Sequence, residues 1–301
     1  MSEALFKYIE YENYKANRYK SLNVFTMLKW AQDLLKNSCP DDSGASAKVL
    51  MSSVLEIETN KLAAALDKAL TKKQIDKFKY YVFRRARHEP THYILGQCEF
   101  MGLNFKVNRN VLIPRPETEF LVYNVLEQAK TKTDLSVLDL CCGGGAIALS
   151  LLFFGAFKNI TASDISKKAL EIAKQNYKIL CPNKNNIEFI LSDMFSKIGN
   201  RRFDIIVSNP PYISKREKCA LAGELFFEPR IALFAKDGGQ FFYRKIAMNA
   251  KKYLNQNGQI FLELNSNLSQ QTQEIFYANG FSNLKVIKDY GGLNRILWIK
   301  L

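Results

Sequence analysis

The chain is poor in the groups that build metal and redox centres. Only two histidines occur in 301 residues, His88 and His92, and Pro90 between them spoils the helical i,i+4 spacing that pairs such ligands. The six cysteines, Cys39, Cys98, Cys141, Cys142, Cys181 and Cys219, contain no C-x-x-C pair. No metal is therefore expected, and free thiols in a reducing cytoplasm are the simpler reading. No apolar run reaches the ~20 residues that span a bilayer; the longest is Ala146–Phe157. Glu3, Glu10 and Glu12 interrupt any leader-like stretch at the start, so a cytoplasmic protein without a membrane anchor is expected. There is no basic tail either. The net charge of +14 is spread as 18 basic and 12 acidic residues over positions 1–110 and 25 and 17 beyond, which reads as a Lys-rich solvated surface rather than a dedicated nucleic-acid face.

Hydrophobic residues make up 47% of the chain, enough for one large core or two smaller ones, and this excludes a disordered chain. The first 88 residues read as helical. Ser46–Glu58 repeats apolar residues every three to four positions, Asn60–Leu70 is rich in Ala, Leu and Lys, and Lys72–Arg87 carries aromatics at helical spacing; Asp41-Asp42-Ser43 supplies a helix start. The texture changes at Glu89-Pro90. Residues 89–113 alternate apolar and polar around Gly96, Gly102 and Asn108, predicting a β-hairpin linker closed by Pro114 and Pro116.

Residues 114–301 read as a doubly wound α/β domain. Strands are predicted at Ser136–Leu140, Ile160–Ser163, Ile187–Leu191, Phe203–Ser208, Gln259–Leu264, Asn283–Ile287 and Arg295–Ile299, with helices such as Ser166–Leu180, Gln240–Leu254 and Leu268–Asn279 between them. Short apolar strands alternating with helices imply a mostly parallel, seven-stranded sheet. Ligands on such sheets sit at the carboxyl ends of the strands.

Two of those strand ends carry chemistry. Val137-Leu138-Asp139-Leu140 runs into Cys141-Cys142-Gly143-Gly144-Gly145 and an apolar helix. Glycines let backbone approach a ligand, and the helix start offers unpaired N–H groups. Asp164 ends the next strand, where a carboxylate can take both ribose hydroxyls of a nucleoside. The pattern fits NAD, FAD or S-adenosylmethionine, with a structural turn and a buried aspartate cap as the alternative. The acidic residue that opens D-x-x-x-G-x-G tips the balance to S-adenosylmethionine. Vicinal Cys141-Cys142 reads as small turn residues, since a disulfide between neighbours is a strained ring.

The second is Ile205-Ile206-Val207-Ser208-Asn209-Pro210-Pro211-Tyr212. Prolines fix φ and make the turn rigid, so the Asn209 side chain and the Pro210 carbonyl are held as acceptors for an –NH2 group, beside the ring face of Tyr212. This is a clamp for a planar amide or amino group, whose alternative reading is a Pro-Pro strand stop.

With these residues in view, the chain resembles the peptide chain release factor glutamine methyltransferases. The resemblance rests on the clamp, on Glu89-Pro90 with Tyr93-Ile94-Leu95-Gly96, on Glu99-Phe100-Met101-Gly102-Leu103 with Phe105, and above all on Leu112-Ile113-Pro114-Arg115-Pro116-Glu117-Thr118-Glu119. Phe227-Glu228-Pro229-Arg230-Ile231-Ala232-Leu233 and Asp289-Tyr290 also match, and Ala47–Glu58 resembles the family's N-terminal recognition domain less specifically. The resemblance implies a Rossmann-like methyltransferase sheet behind a helical recognition domain. It implies S-adenosylmethionine as cofactor, held by Asp139, Cys141, Cys142, Gly143, Gly144, Gly145, Asp164, Asp193, Met194 and Asn209. It implies as substrate the glutamine of the Gly-Gly-Gln loop of class I release factors, bound and methylated at Asn209, Pro210, Pro211 and Tyr212. A monomer without stable nucleic-acid binding is expected. Two departures are plain: Cys141 stands where the family has the first glycine of its cofactor loop, with Gly143 and Gly145 retained as close-approach positions, and Met194 stands where relatives often carry Trp. The rival readings are a DNA adenine or RNA guanine amino methyltransferase with the same clamp, and a non-catalytic RNA- or ribosome-binding module.

Overall fold

The computed structural model describes residues 22–214, 216–217 and 223–301. Cys219 and the acidic positions Glu3, Glu10 and Glu12 lie outside the described residues. The chain divides into two compact units, one ending at Gly96 and one running Gln97–Leu301.

The first unit is helical: Val24–Leu35, Ser43–Leu55, Lys72–Arg85 and the short Thr91–Leu95. Met27, Leu35, Leu50, Met51, Phe78 and Val82 fill its core at 0% exposure, each burial contributing about 1.5–3 kcal/mol. Asn23 and Thr26 form a capping box on the first helix, and Thr71 and Gln74 another on the third, satisfying N–H groups that have no intrahelical partner. Asp42 sits at the N-cap of the second helix but bonds no helix N–H; its carboxylate takes the Ser46 hydroxyl and the buried Arg85 guanidinium instead. Two predicted helices differ from expectation. Ser46–Glu58 is shifted, because Glu56 turns left-handed (φ 58°) and ends the helix. Asn60–Leu70 forms only a 3-10 segment over Thr59–Ala65, because Val24 N–H bonds Lys68 O (3.1 Å) and Leu70 N–H bonds Leu22 O (3.0 Å). Long-range backbone pairing there overrides local helix propensity.

The second unit opens with a hairpin, β1 (Gln97–Phe100) and β2 (Leu103–Lys106). It is shorter than residues 89–113: Pro90 starts the helical turn Thr91–Leu95, which Gly96 ends at φ 75°. Met101 and Gly102 both take positive φ, the turn that matches the twist of a two-residue hairpin. The helix Pro116–Ala129 follows, and then a seven-stranded sheet of order β10-β11-β9-β6-β3-β4-β5. Its strands are β3 (Ser136–Leu140), β4 (Asn159–Asp164), β5 (Ile187–Leu191), β6 (Phe203–Ser208), β9 (Leu254–Glu263), β10 (Asn283–Lys288) and β11 (Asn294–Lys300). β3, β4, β5, β6 and β9 are parallel, whereas β11 and β10 run antiparallel at one edge. A minor pair, β7 (Ile213–Ser214) and β8 (Phe234–Ala235), follows the clamp. Side chains alternate between two cores: Val137, Ile205 and Val207 join one, Leu138, Leu140, Ile206 and Leu262 the other. The central strands β3 and β6, buried on both faces, read as mostly apolar runs.

The chain leaves β3 toward β4 and β5 and returns to β6 on its other side. That topological switch point puts the turns after β3, β4 and β6 together, where crevices form on such sheets. Among the described residues, no helix is long and apolar enough to cross a membrane and no cluster of three or more His, Cys, Asp or Glu could hold a metal ion. Cys39, Cys98, Cys141, Cys142 and Cys181 carry free thiols.

Candidate active site

Three cavities meet at the switch point, and Asn209 lines all of them. The largest, about 330 Å³, is walled by Cys141, Gly143, Asp164, Asp193, Met194 and Pro211, with Ile165, Phe241 and Lys245. A small one of about 60 Å³ lies over Cys141, Cys142, Gly143 and Gly144. The third, about 200 Å³, is bounded by Asn209, Pro210, Pro211, Tyr212 and Arg115.

The two acidic strand ends do different work. Asp164 lies on the wall of the largest cavity. Its Oδ2 accepts the Gly143 N–H and its Oδ1 the Ser166 N–H, both at 2.8 Å. Each oxygen keeps lone pairs for a ligand hydroxyl. Burial raises its pKa, opposed by those backbone donors. Asp139 lines none of the cavities. It is fully buried beneath the glycine turn, where Oδ2 accepts the Ala148 N–H (3.1 Å) in the first turn of the helix Ala146–Phe154. Its Oδ1 has no partner among the described residues. Burial, with Asp164 close by, pushes its pKa well above the usual carboxylate range. Asp139 thus ties the glycine turn to its helix as an aspartate cap.

The glycines divide in the same way. Gly143 sits at φ 53° with open space where a Cβ would stand, and it lines both the largest and the small cavity. At Gly145 (φ 85°) a Cβ would meet Ala173, on the helix Lys167–Leu180, at 3.2 Å and Leu149, on the helix Ala146–Phe154, at 3.1 Å. Gly144 packs against Val111 and gives its carbonyl to Asn176. The two departures from the family pattern touch: the Cys141 thiol donates to the Met194 thioether at 3.7 Å. Both take left-handed backbone, φ 61° and 49°, which costs a side-chain-bearing residue about 1–2 kcal/mol. Burial pushes the Cys141 thiol far above its ordinary pKa, so it is a protonated wall rather than a nucleophile. Asp193, beside them, pairs its carboxylate with Lys245 at 3.3 Å.

The clamp after β6 is fixed from a distance. Asn209 Nδ2 donates to Thr118 Oγ1 (3.1 Å), and the Thr118 hydroxyl donates to Glu263 Oε2 (2.6 Å). The Tyr212 hydroxyl donates to the other oxygen of the same carboxylate (3.3 Å). Glu263 ends β9 at 1% exposure, and burial pushes its pKa up to about 7 against the pull of Thr118, Arg295 and Tyr212. The Tyr212 phenol is raised too, by burial and by Glu263. With Nδ2 committed to Thr118, Asn209 Oδ1 has no donor among the described residues and stands as a free acceptor. The turn Asp237–Gly239 backs the clamp: a Cβ on Gly239 (φ 100°) would lie 2.4 Å from the Tyr212 carbonyl. Arg115 pairs with the buried Glu228, which also accepts the Ile113 N–H (3.1 Å). That bond holds residues 111–115 over the glycine turn.

Thr118 and Glu228 stand inside segments that carried the resemblance, but neither motif says what they bind. Glu263 had one signal, a charge closing an otherwise apolar strand. Ile165, Phe241 and Lys245 had none, because only the folding of separate loops brings them to the cavity.

Residues 116–243 match the family model described as Methyltransferase small domain, and residues 26–96 that described as PrmC N-terminal domain. The release factor glutamine methyltransferase of Leptospira interrogans serogroup Icterohaemorrhagiae serovar Lai is 34% identical over 91% of this chain and 97% of its own length. The bifunctional methyltransferase of Rickettsia felis is 36% identical over 91% of this chain, which spans 57% of that relative's length. Among solved structures, the 16S rRNA N2 G1207 methyltransferase of T. thermophilus, in complex with AdoMet and guanosine, shares the fold with a TM-score of 0.50 at 20% identity, over 68% of this chain and 49% of that one.

Proposed function

The chain belongs to the release factor glutamine methyltransferase family, and on that premise we propose that it methylates the side-chain amide nitrogen of the glutamine in the Gly-Gly-Gln loop of class I release factors. The observation that carries this reading is the free Oδ1 of Asn209, a fixed acceptor where all three cavities meet. A carboxamide nitrogen is a poor nucleophile because its lone pair is delocalised into the carbonyl. Asn209 Oδ1 and the Pro210 carbonyl accept its two N–H hydrogens and hold the nitrogen so that its lone pair points into the largest cavity. Tyr212 covers the amide plane. Orientation and electrostatics then supply most of the acceleration. No base need act first, because the proton leaves once the nitrogen has become cationic, and the clamp contains no histidine.

The largest cavity fits S-adenosylmethionine. Asp164 offers paired lone pairs for ribose hydroxyls, the Gly143 backbone opens directly onto the space, and Ile165, Met194 and Phe241 give an apolar wall for an adenine. When bound, the cofactor supplies an electrophilic methyl group. Asp139 and Gly145 act behind the site, by holding the turn. The helical unit before Gly96 is assigned to recognition of the release factor.

The test is transfer of labelled methyl from S-adenosylmethionine to purified class I release factor. Label should enter the factor and disappear when the glutamine of its Gly-Gly-Gln loop becomes alanine. Label entering bare DNA or RNA, with none in the factor, would replace this reading with that of a nucleic-acid amino methyltransferase.

A further inference from the structure

The clamp has two arms, Asn209 and Tyr212, and both are anchored on one buried carboxylate outside the motif. We propose that Glu263, acting through the Thr118 hydroxyl, is the positioning residue that decides which face of the Asn209 amide meets the substrate, and that its protonation turns that amide the wrong way. The inference rests on the methyltransferase reading for its consequence in turnover, but its structural half stands on the geometry alone.

The donors and acceptors leave one consistent arrangement. An ionised carboxylate only accepts. Thr118 must therefore spend its single hydrogen on Glu263 Oε2, at 2.6 Å, which leaves its oxygen able only to accept. The group 3.1 Å away on Asn209 must then be the NH2, and Oδ1 is turned to the cavity. That is the orientation a substrate carboxamide needs, since its nitrogen brings hydrogens and not lone pairs. Tyr212 gives its hydrogen to Oε1 at 3.3 Å, so the carboxylate also orients the second arm.

With a proton on Oε2 the chain of donors reverses. Glu263 donates to Thr118, the Thr118 hydrogen is released toward Asn209, and the amide is satisfied with Oδ1 inward and NH2 facing the substrate's own N–H groups. Two donors then oppose each other in the clamp. The charged and titratable groups facing Glu263 are Glu117, on the helix that carries Thr118, Tyr212 from the clamp and Arg295 from β11; Tyr243, from the helix Phe241–Tyr253, bonds the Glu263 backbone carbonyl at 2.8 Å. Arg295 is itself tied to Asp289 at 2.9–3.0 Å. Burial outweighs these neighbours and brings the carboxyl's titration to about 7, within the working range of an enzyme.

The experiment has two arms. In the first, kcat and KM on a release factor are measured from pH 5.5 to 8.5 for the wild type, Glu263→Gln, Thr118→Val and Thr118→Ser. The wild-type kcat should fall about tenfold per pH unit below one inflection near 7, with KM for the cofactor unchanged. Glu263→Gln should lose the inflection, Thr118→Val should lower kcat about tenfold or more across the range, and Thr118→Ser should restore both rate and inflection. In the second arm, the side-chain NH2 resonances of Asn209, assigned by their loss in Asn209→Asp, are followed by NMR without substrate. They should move with pH about the same midpoint in the wild type and not in Glu263→Gln or Thr118→Val. A flat wild-type NMR titration, or one that survives in both variants, overturns the positioning role. A wild type that methylates no release factor at any pH, with the NMR titration intact, overturns the substrate reading and leaves the relay standing. Thr118→Val, which removes one hydroxyl at nearly constant volume, keeps the test decisive if Glu263→Gln fails to fold.

Discussion

The turn after β3 and the turn after β6 lie side by side, one strand apart in the sheet, yet they are held in opposite ways. The glycine turn is secured by partners close in sequence: Asp139 bonds Ala148, nine residues on, and Asp164 bonds Gly143, 21 residues back. The clamp is secured by distant ones, Thr118 lying 91 residues from Asn209 and Glu263 51 residues from Tyr212. A locally secured turn is rebuilt each time its own strand and helix form. A turn secured across the sheet exists only when the whole sheet is assembled, so its chemistry is tied to the integrity of the fold.

The comparison breaks first at Asn209. Asn209→Ala should fold and bind cofactor but lose transfer by about 3 kcal/mol, on the scale of a lost transition-state partner; a single-turnover rate near that of the wild type would show that the clamp does not carry the reaction. Next comes Glu263. Its folded pKa of about 7 lies above the ordinary carboxylate value, so the fold holds this proton more tightly than the unfolded chain does. The resulting stability is fully present below about pH 4 and is lost as pH rises through about 7, amounting to roughly 3 kcal/mol. Denaturant titrations at pH 5 and pH 8 should show that loss in the wild type and much less of it in Glu263→Gln.

The two aspartates sharpen the contrast at the locally held turn. Asp164→Ala should weaken S-adenosylmethionine binding by about 2 kcal/mol, the scale of hydrogen bonds to a charged group, and should also lower the melting temperature, because the Gly143 and Ser166 N–H groups lose their acceptor. Asp139→Ala should act on stability alone, costing about 1 kcal/mol through the lost helix cap, while calorimetry finds cofactor affinity nearly intact. Equal losses of affinity would mean that Asp139 reaches the ligand after all. The smallest effect is expected at Cys141. Cys141→Gly relieves a left-handed residue but adds freedom to the unfolded chain, so it should raise stability by only about 0.5 kcal/mol, measured as a higher unfolding midpoint.

Much of this is legible in the sequence. β3, β5 and β6 occupy the predicted residues: β3 and β6 are short, mostly apolar strands buried inside the sheet, and β5 is a half-exposed strand at its edge. The clamp and Asp164 stand where strand ends with those residue types belong. Misreadings fell where distant backbone or burial decided the outcome. Lys68–Leu70 pairs with Leu22–Val24 instead of continuing a helix, and the sequence alone does not show that Asp139 bonds the Ala148 N–H or that Gly145 packs against Leu149 and Ala173.

By itself the sequence determined the class of sheet, the order of its elements along the chain and the position of the candidate clamp, since hydrophobic period, turn residues and a rigid Asn-Pro-Pro-Tyr run are local properties. It could not say which way the Asn209 amide faces. That depends on a hydroxyl and a carboxylate brought from Thr118 and Glu263, 145 residues apart from each other, and on the dry interior that holds the carboxylate near its titration point. Only the assembled sheet places those three groups in one line, because hydrogen bonds and burial act through space while a motif is read along the chain.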